Sequence, residues 1–202
     1  MKTAVIYDCE NLTNRTSPSR FWCGPWDPDP TIVQIGAVRL GLDGDAPLLD
    51  TFDVIVRPKG RDGTPVELDP FFTELTGITP ARVADEGVPL ADALARFDAF
   101  ADGDRMWSWG KDELNMIAVS CWIEGIVPPM RPDRFGNAAA LVLAAGVPQE
   151  VVDRTRSNTL AATVGAATPP LRPHDGVDDA RSVAYALAHL MRTRALDPSQ
   201  LT

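Results

Sequence analysis

Three clusters of acidic residues stand out by their spacing. The first is Asp8-Cys9-Glu10, directly after the apolar run Thr3–Tyr7. Strand side chains alternate between faces, so Asp8 and Glu10 share one face and Cys9 takes the other. Two neighbouring carboxylates after an apolar strand are costly to bury unpaired. A shared cation relieves that cost, and hard oxygen ligands suit Mg²⁺ or Mn²⁺. The plainer reading is a solvated strand end. The second cluster closes Trp107-Ser108-Trp109-Gly110-Lys111-Asp112-Glu113, where a strand runs through glycine to an acid at the expected start of a helix. An acid in that position also serves as a cap or dipole partner. The third is His174-Asp175-Gly176-Val177-Asp178-Asp179, a loop histidine five residues ahead of an acid in the first turn of a helix. A histidine with a near-neutral pKa accepts protons at physiological pH. The plainer reading makes Asp178 a cap and leaves His174 on the surface. The other histidine, His189, falls inside the last helix and reads as a packing or surface residue.

These residues need elements to hold them. Valine, isoleucine and tyrosine make 3–7 a strand. Residues 32–40 and 51–56 read as a hairpin joined by the turn Gly41-Leu42-Asp43-Gly44-Asp45. A fourth strand is expected over 105–109 and a fifth near Arg134. Helices are expected over 69–75, 79–84, 89–101, 112–124, 138–145, 160–164 and 178–194. The last carries Val183, Ala184, Leu187, Leu190 and Met191 as its apolar stripe. Strands followed by helices that alternate with further strands imply an α/β layer structure. The hairpin makes its sheet mixed. Residues 14–31 stand apart: Pro18, Pro25, Pro28 and Pro30 lie among Phe21, Trp22 and Trp26. This is a Pro/Trp-rich insertion, ordered rather than a flexible linker.

The chain has 202 residues and a net charge of −9, a length that fits a single domain, residues 1–202, with a sizeable core. No apolar run approaches the roughly 20 residues of a membrane span. Tyr7-Asp8 interrupts the N-terminal apolar stretch before a signal peptide could form. Cys9, Cys23 and Cys121 form no CxxC pair, which argues against a zinc cage or a disulfide framework and for a reducing cytoplasm. The acidity excludes a protein that coats duplex nucleic acid by bulk charge. It leaves a nuclease open, because bound divalent ions reverse the local sign.

Taken in order, an acid pair on the first strand, an acid after a later strand, and His-x4-Asp opening a C-terminal helix resemble the DEDDh family of 3′–5′ exonucleases. That family has the ribonuclease H-like fold and includes proofreading subunits, oligoribonuclease and ribonuclease T. The resemblance spans Thr3 to Arg192. It includes Ile35-Gly36-Ala37-Val38, Leu75-Thr76-Gly77-Ile78-Thr79 and Ser157-Asn158-Thr159-Leu160-Ala161. The Trp109-Gly110 approach and the insertion after Glu10 are most similar to the exoribonuclease-type branch.

The resemblance implies an α/β, ribonuclease H-like domain with a mixed central sheet of five strands flanked by helices. It implies that Asp8, Glu10, Asp112 and Asp179 hold two Mg²⁺ or Mn²⁺ ions and that His174 is the general base. Asp175 and Asp178 are rivals for the last acid, and Glu113 for the third. Substrate contacts are expected at Asn11, Leu12 and Trp109. Trp22 and Trp26 either stack on bases or cover a hydrophobic edge. The implied activity is metal-dependent 3′–5′ hydrolysis of single-stranded nucleic acid, RNA before DNA, to 5′-mononucleotides. The alternatives are a proofreading-type DNA exonuclease and an inactive nucleic-acid-binding module. No membrane partner is expected, and a homodimer stays open because dimers are common among such nucleases. The sequence departs from the family pattern at Asn11, where a threonine is usual. Asp175, next to the histidine, is expected to raise its pKa.

Overall fold

The computed structural model describes residues 2–202. Five strands form one sheet: β1 (Thr3–Asn11), β2 (Ile32–Gly41), β3 (Leu48–Ile55), β4 (Met106–Ser108) and β5 (Phe135–Asn137). Their order is β3-β2-β1-β4-β5. β1–β2 and β2–β3 pair antiparallel, while β1–β4 and β4–β5 pair parallel. The sheet is therefore mixed, as the hairpin requires.

Among the described residues, eight α-helices flank it. They are α1 (Pro70–Thr76), α2 (Pro80–Glu86), α3 (Leu90–Ala101), α4 (Asp112–Glu124), α5 (Ala138–Ala144), α6 (Gln149–Val152), α7 (Leu160–Thr163) and α8 (Gly176–Arg192). Strand alternation sorts β1 between two cores. Ala4 and Ile6 face α5 and α8 with Val38, Leu40, Val183 and Leu187. Val5 and Tyr7 face α3 and α4 with Ile35, Ala37, Leu94, Phe97 and Ile117. Asp8 and Glu10 continue the first series, so the alternation that buries Ile6 also turns two carboxylates toward α8.

Several boundaries differ from the sequence expectation. β1 does not end at Tyr7, because pairing with β2 continues through Asp8↔Gly36 and Glu10↔Gln34 before an irregularity at Glu10/Asn11. The acid pair thus sits near the end of the strand, as its side-chain alternation requires. β3 begins at Leu48, three residues early, because Leu48 pairs with Leu40. β4 is shorter than expected. α8 starts at Gly176 and not at residue 178, since Asp175 is its cap and accepts from Val177 N and Asp178 N. It ends at Arg192, two residues short of Arg194. The four-residue α6 carried no apolar period long enough to signal it. The three cysteines are free. Among the described residues, no helix is long and apolar enough to cross a membrane.

Candidate active site

A cavity of about 630 Å³ opens where β1, the turn into α4, the segment before α7 and the start of α8 meet. Asp8, Glu10, Asp112, Glu113, His174 and Asp179 all line it, with Trp109, Arg156, Ser157 and Asn158. Residues more than 160 positions apart in sequence are placed by four local devices.

The first is a glycine contact. Gly36 lies opposite Asp8 on β2. A Cβ there would stand 2.2 Å from the backbone of Gly176 and Val177, so only glycine lets the start of α8 rest on the strand. The second is Gln34, fully buried, whose Oε1 accepts from Gly176 N at 3.0 Å while its Nε2 donates to Asp53. Together they bring the first turn of α8, and Asp179, against Asp8 and Glu10. The third is the turn at Gly110 (φ +100°), where a Cβ would collide with the Asp112 carboxylate. Its N–H donates to Asn137 Oδ1, which also caps α5 through Ala139 N. The fourth is the turn before α7, where Ser157 Oγ donates to Asp179 Oδ2 at 3.4 Å. Trp109 braces this turn, its indole N–H donating to Thr155 O at 3.1 Å.

His174 itself is left-handed (φ 58°), a conformation that a non-glycine residue adopts only when its surroundings hold it. The Asp175 cap and the Gln34–Gly176 bond on its C-terminal side do so. One ligand atom from each of Glu10, His174 and Asp179 lies within 4.8 Å of the others.

The electrostatics are those of a largely buried anion cluster. Asp8, Glu10, Glu113 and Asp179 are 4–8 % exposed. Burial pushes the Asp8 carboxyl well above its ordinary range, with Glu113, Glu10 and Asp179 adding to the rise. Burial and then Asp179 raise Glu10 to about 8. Burial and then Asp112 raise Glu113 to about 8. Burial raises Asp179 to about 7 against the opposing bonds from the His174 backbone N–H and from Ser157. Two buried oxygens, Asp179 Oδ1 and Glu113 Oε2, have no hydrogen-bond partner. A buried, unpaired carboxylate oxygen is expensive, and two of them among acids lining one cavity belong to the hard-oxygen donor set that divalent ions take. The site fits such ions.

The His174 pKa moves opposite to expectation. Burial and the Arg156 guanidinium lower it. Asp175, the neighbour expected to raise it, is instead turned into the α8 cap.

Two acids compete at the start of α4. Asp112 and Glu113 both line the cavity, but Asp112 is exposed and Glu113 is buried. Of the neighbouring carboxylates, Glu113 acts most strongly on Asp8. The rivals for the last acid are occupied elsewhere. Asp178 accepts from Arg172 N and Arg181, and Asp175 is the cap.

Asn11, Leu12, Trp22 and Trp26 are not among the residues lining this cavity. Leu12 is buried, and the Trp22 indole N–H donates to its carbonyl at 2.8 Å. Trp26 is 89 % exposed and lines a separate groove of about 430 Å³ with Leu12, Thr13, Asn14 and Pro70. The insertion is ordered around Asp27, which accepts from Asn14, Ser17, Arg20 and Gly24 N. Gln34, Glu113, Arg156 and Ser157 were not singled out for these roles from sequence. Only Glu113 (as a rival acid) and Ser157 (within a similar segment) carried any signal.

The raised carboxylates set a pH dependence. Their folded values exceed the roughly 4 of an unfolded carboxyl, so above that pH the folded chain binds more protons than the unfolded one. Stability without metal therefore falls as pH rises from about 5 to beyond about 8. The Tm in EDTA should drop across that range, and Mn²⁺ should oppose the drop, since it binds the ionised folded site. A Tm in EDTA that climbs with pH would contradict the electrostatics described.

Known structures agree with this architecture. No protein-family model and no curated protein matches the sequence. Among solved structures, a full-length 3′-exonuclease superposes with a TM-score of 0.75 at 18 % identity, over 96 % of this chain and 83 % of that one. Cell-death related nuclease 4 gives 0.72 at 16 % identity, over 95 % of this chain and 64 % of that one. The chain has the ribonuclease H-like fold. E. coli exonuclease I in complex with a dA16 oligonucleotide gives 0.62 at 18 % identity, over 98 % of this chain but 42 % of that one. At such identities the likeness establishes the fold, and the chemistry rests on the cavity.

Proposed function

We propose that this chain is a divalent-metal-dependent 3′–5′ exonuclease that removes 5′-mononucleotides from single-stranded nucleic acid, RNA in preference to DNA. One observation carries the reading: buried Asp8, Glu10 and Asp179, an acid from the α4 start and His174 converge on one cavity, in a fold shared with 3′-exonucleases. Asp8, Glu10, Asp179 and that acid would hold two Mg²⁺ or Mn²⁺ ions. When bound, such ions lower the pKa of an attacking water and stabilise the leaving 3′ oxygen of an in-line displacement. His174 takes the water's proton as the new P–O bond forms. Its depressed pKa keeps the imidazole neutral and ready at neutral pH. Ser157 and the Gln34–Gly176 bond hold Asp179 in place, and the Gly110 turn sets the α4 acid.

A blocked 3′ end tests the direction. A 3′-phosphate should slow cleavage sharply, a circular single strand should survive, and the products should be 5′-mononucleotides. Cuts in the circle would overturn the reading. RNA preference is read from matched RNA and DNA oligonucleotides. The similar structures include a 3′-exonuclease recognising a histone mRNA stem-loop and exonuclease I with DNA, so equal rates on both chemistries would retract the preference but leave the exonuclease.

Burial divides the two α4 acids. Glu113→Gln should lower kcat about 10- to 100-fold more than Asp112→Asn, because the buried carboxylate has no water to replace it. The reverse order, measured on one oligonucleotide, would return the role to Asp112.

The insertion divides in the same way. Trp22 is pinned to the Leu12 carbonyl, so Trp22→Ala should lower the Tm. Trp26 offers an open indole face, and base–aromatic stacking is worth about 1–3 kcal/mol. Trp26→Ala should therefore raise KM on single strands roughly 5- to 100-fold with the Tm held. An unchanged KM would assign Trp26 no part in binding.

A further inference from the structure

An acidic protein that hydrolyses an anion needs positive charge near the scissile linkage beyond its metals. The chain carries a net charge of −9, and five acidic residues line this cavity. Eight of the 19 lysines and arginines are already paired with carboxylates. Among the described residues, Arg15, Arg20, Arg39, Arg61, Arg82, Arg131, Arg134 and Arg181 are each tied to a carboxylate. Two arginines beside the acids have backbones that are held and guanidinium groups with no acceptor among the hydrogen bonds of the described residues.

Arg156 lines the cavity directly. Its backbone is fixed by reciprocal bonds with Thr159: its N–H donates to Thr159 Oγ1 at 3.1 Å, and its carbonyl accepts from that hydroxyl at 3.2 Å. The next residue, Ser157, reaches Asp179. Arg172 lies two residues before His174. Its N–H donates to Asp178 Oδ2 at 2.9 Å, and Pro173 stiffens the chain beyond it. Its guanidinium packs over Gly77, the left-handed cap of α1 (φ +72°), where a Cβ would stand 1.8 Å from Nη2. The missing side chain at Gly77 is the space the guanidinium occupies. Both side chains are exposed, so both forks remain open to a ligand from solvent.

We propose that Arg156 and Arg172 form a two-pronged clamp that binds the phosphates at the 3′ end of the single-stranded substrate. A guanidinium presents a planar fork that matches phosphate oxygens. Arg156 is anchored at its backbone and Arg172 at the Gly77 gap, and among the described residues neither guanidinium is ion-paired. Arg156 lines the acid cavity and Arg172 lies two residues before His174, which lines it too, so the pair would flank a strand whose last linkage lies there. Such contacts position the backbone without reading bases. The inference rests on the exonuclease reading, yet binding tests it without turnover.

The probe is a fluorescein-labelled 12-nucleotide oligo(U), with Ca²⁺ in place of Mg²⁺, titrated by anisotropy at several KCl concentrations. Removing one cation that neutralises a phosphate should flatten the slope of log K against log[salt] by about 0.7 for a single strand. Arg156→Ala and Arg172→Ala should each weaken binding about tenfold or more and flatten the slope by that amount, whereas the lysine variants keep the slope and lose part of the affinity. With Mg²⁺ the alanine variants should raise KM more than they lower kcat. A weakened affinity at unchanged slope, or no change in either alanine variant, overturns the clamp. If the wild type binds with the expected salt dependence but hydrolyses nothing, the exonuclease reading fails while the clamp stands.

Discussion

Asp8→Asn protein folds, melts no lower than the wild type in EDTA at pH 8, and leaves single-stranded oligonucleotides intact. The substitution keeps the side-chain volume and removes one charge. Asp8 is buried within β1, and Glu113, Glu10 and Asp179 all oppose its ionisation. Losing that charge relieves repulsion, so the metal-free fold gains or holds its stability. The same charge is what would draw cations to the site. Ions of this kind contribute several kcal/mol of transition-state stabilisation, which at about 1.4 kcal/mol per factor of ten is on the order of 10³-fold or more in rate. The Tm and initial rate on one preparation check both halves. Hydrolysis near the wild-type rate would remove Asp8 from the chemistry, and a collapse in Tm with EDTA present would refute the repulsion.

His174→Ala should lose about 10²–10⁴-fold in kcat, the usual worth of a positioned base. Its loss should be larger than that of His189→Ala, which alters a residue on the far part of α8. The pH profile carries the sign. The base works unprotonated, so activity falls as pH drops through its pKa. Burial and Arg156 place that pKa below the ordinary histidine range, so the acidic limb should lie below about 6.5. That limb should vanish in His174→Ala. A limb that survives the substitution unchanged would give the proton to another group.

The order of elements was legible because apolar periodicity and turn residues are local signals. The hairpin of β2 and β3, the α4 boundaries and the stripe of α8 all came from them. The length of β1 was not, because Asp8 and Glu10 read as polar while Gly36 and Gln34, the partners that keep them in the ladder, lie far along the chain. That Asp8, Glu10, Asp112, His174 and Asp179 meet at one cavity was foreshadowed by their spacing. The balance between Asp112 and Glu113 was not, since adjacent helical residues point 100° apart and the packing of α4 against the sheet sets which is buried. The His174 shift was misread from its neighbour Asp175, whose side chain the α8 cap withdraws. The roles of Gly36 and Gln34 rest on contacts more than 130 residues apart, which no local pattern carries.

The most direct test is a time course on a single-stranded RNA oligonucleotide labelled at its 5′ end, with Mg²⁺, with Mn²⁺ and with EDTA. The expected result is a ladder that shortens from the 3′ end one nucleotide at a time with either metal and is absent in EDTA. Full-length RNA under every condition, shortening that persists in EDTA, or a few internal products without a ladder would contradict a metal-dependent exonuclease built on Asp8, Glu10, His174 and Asp179.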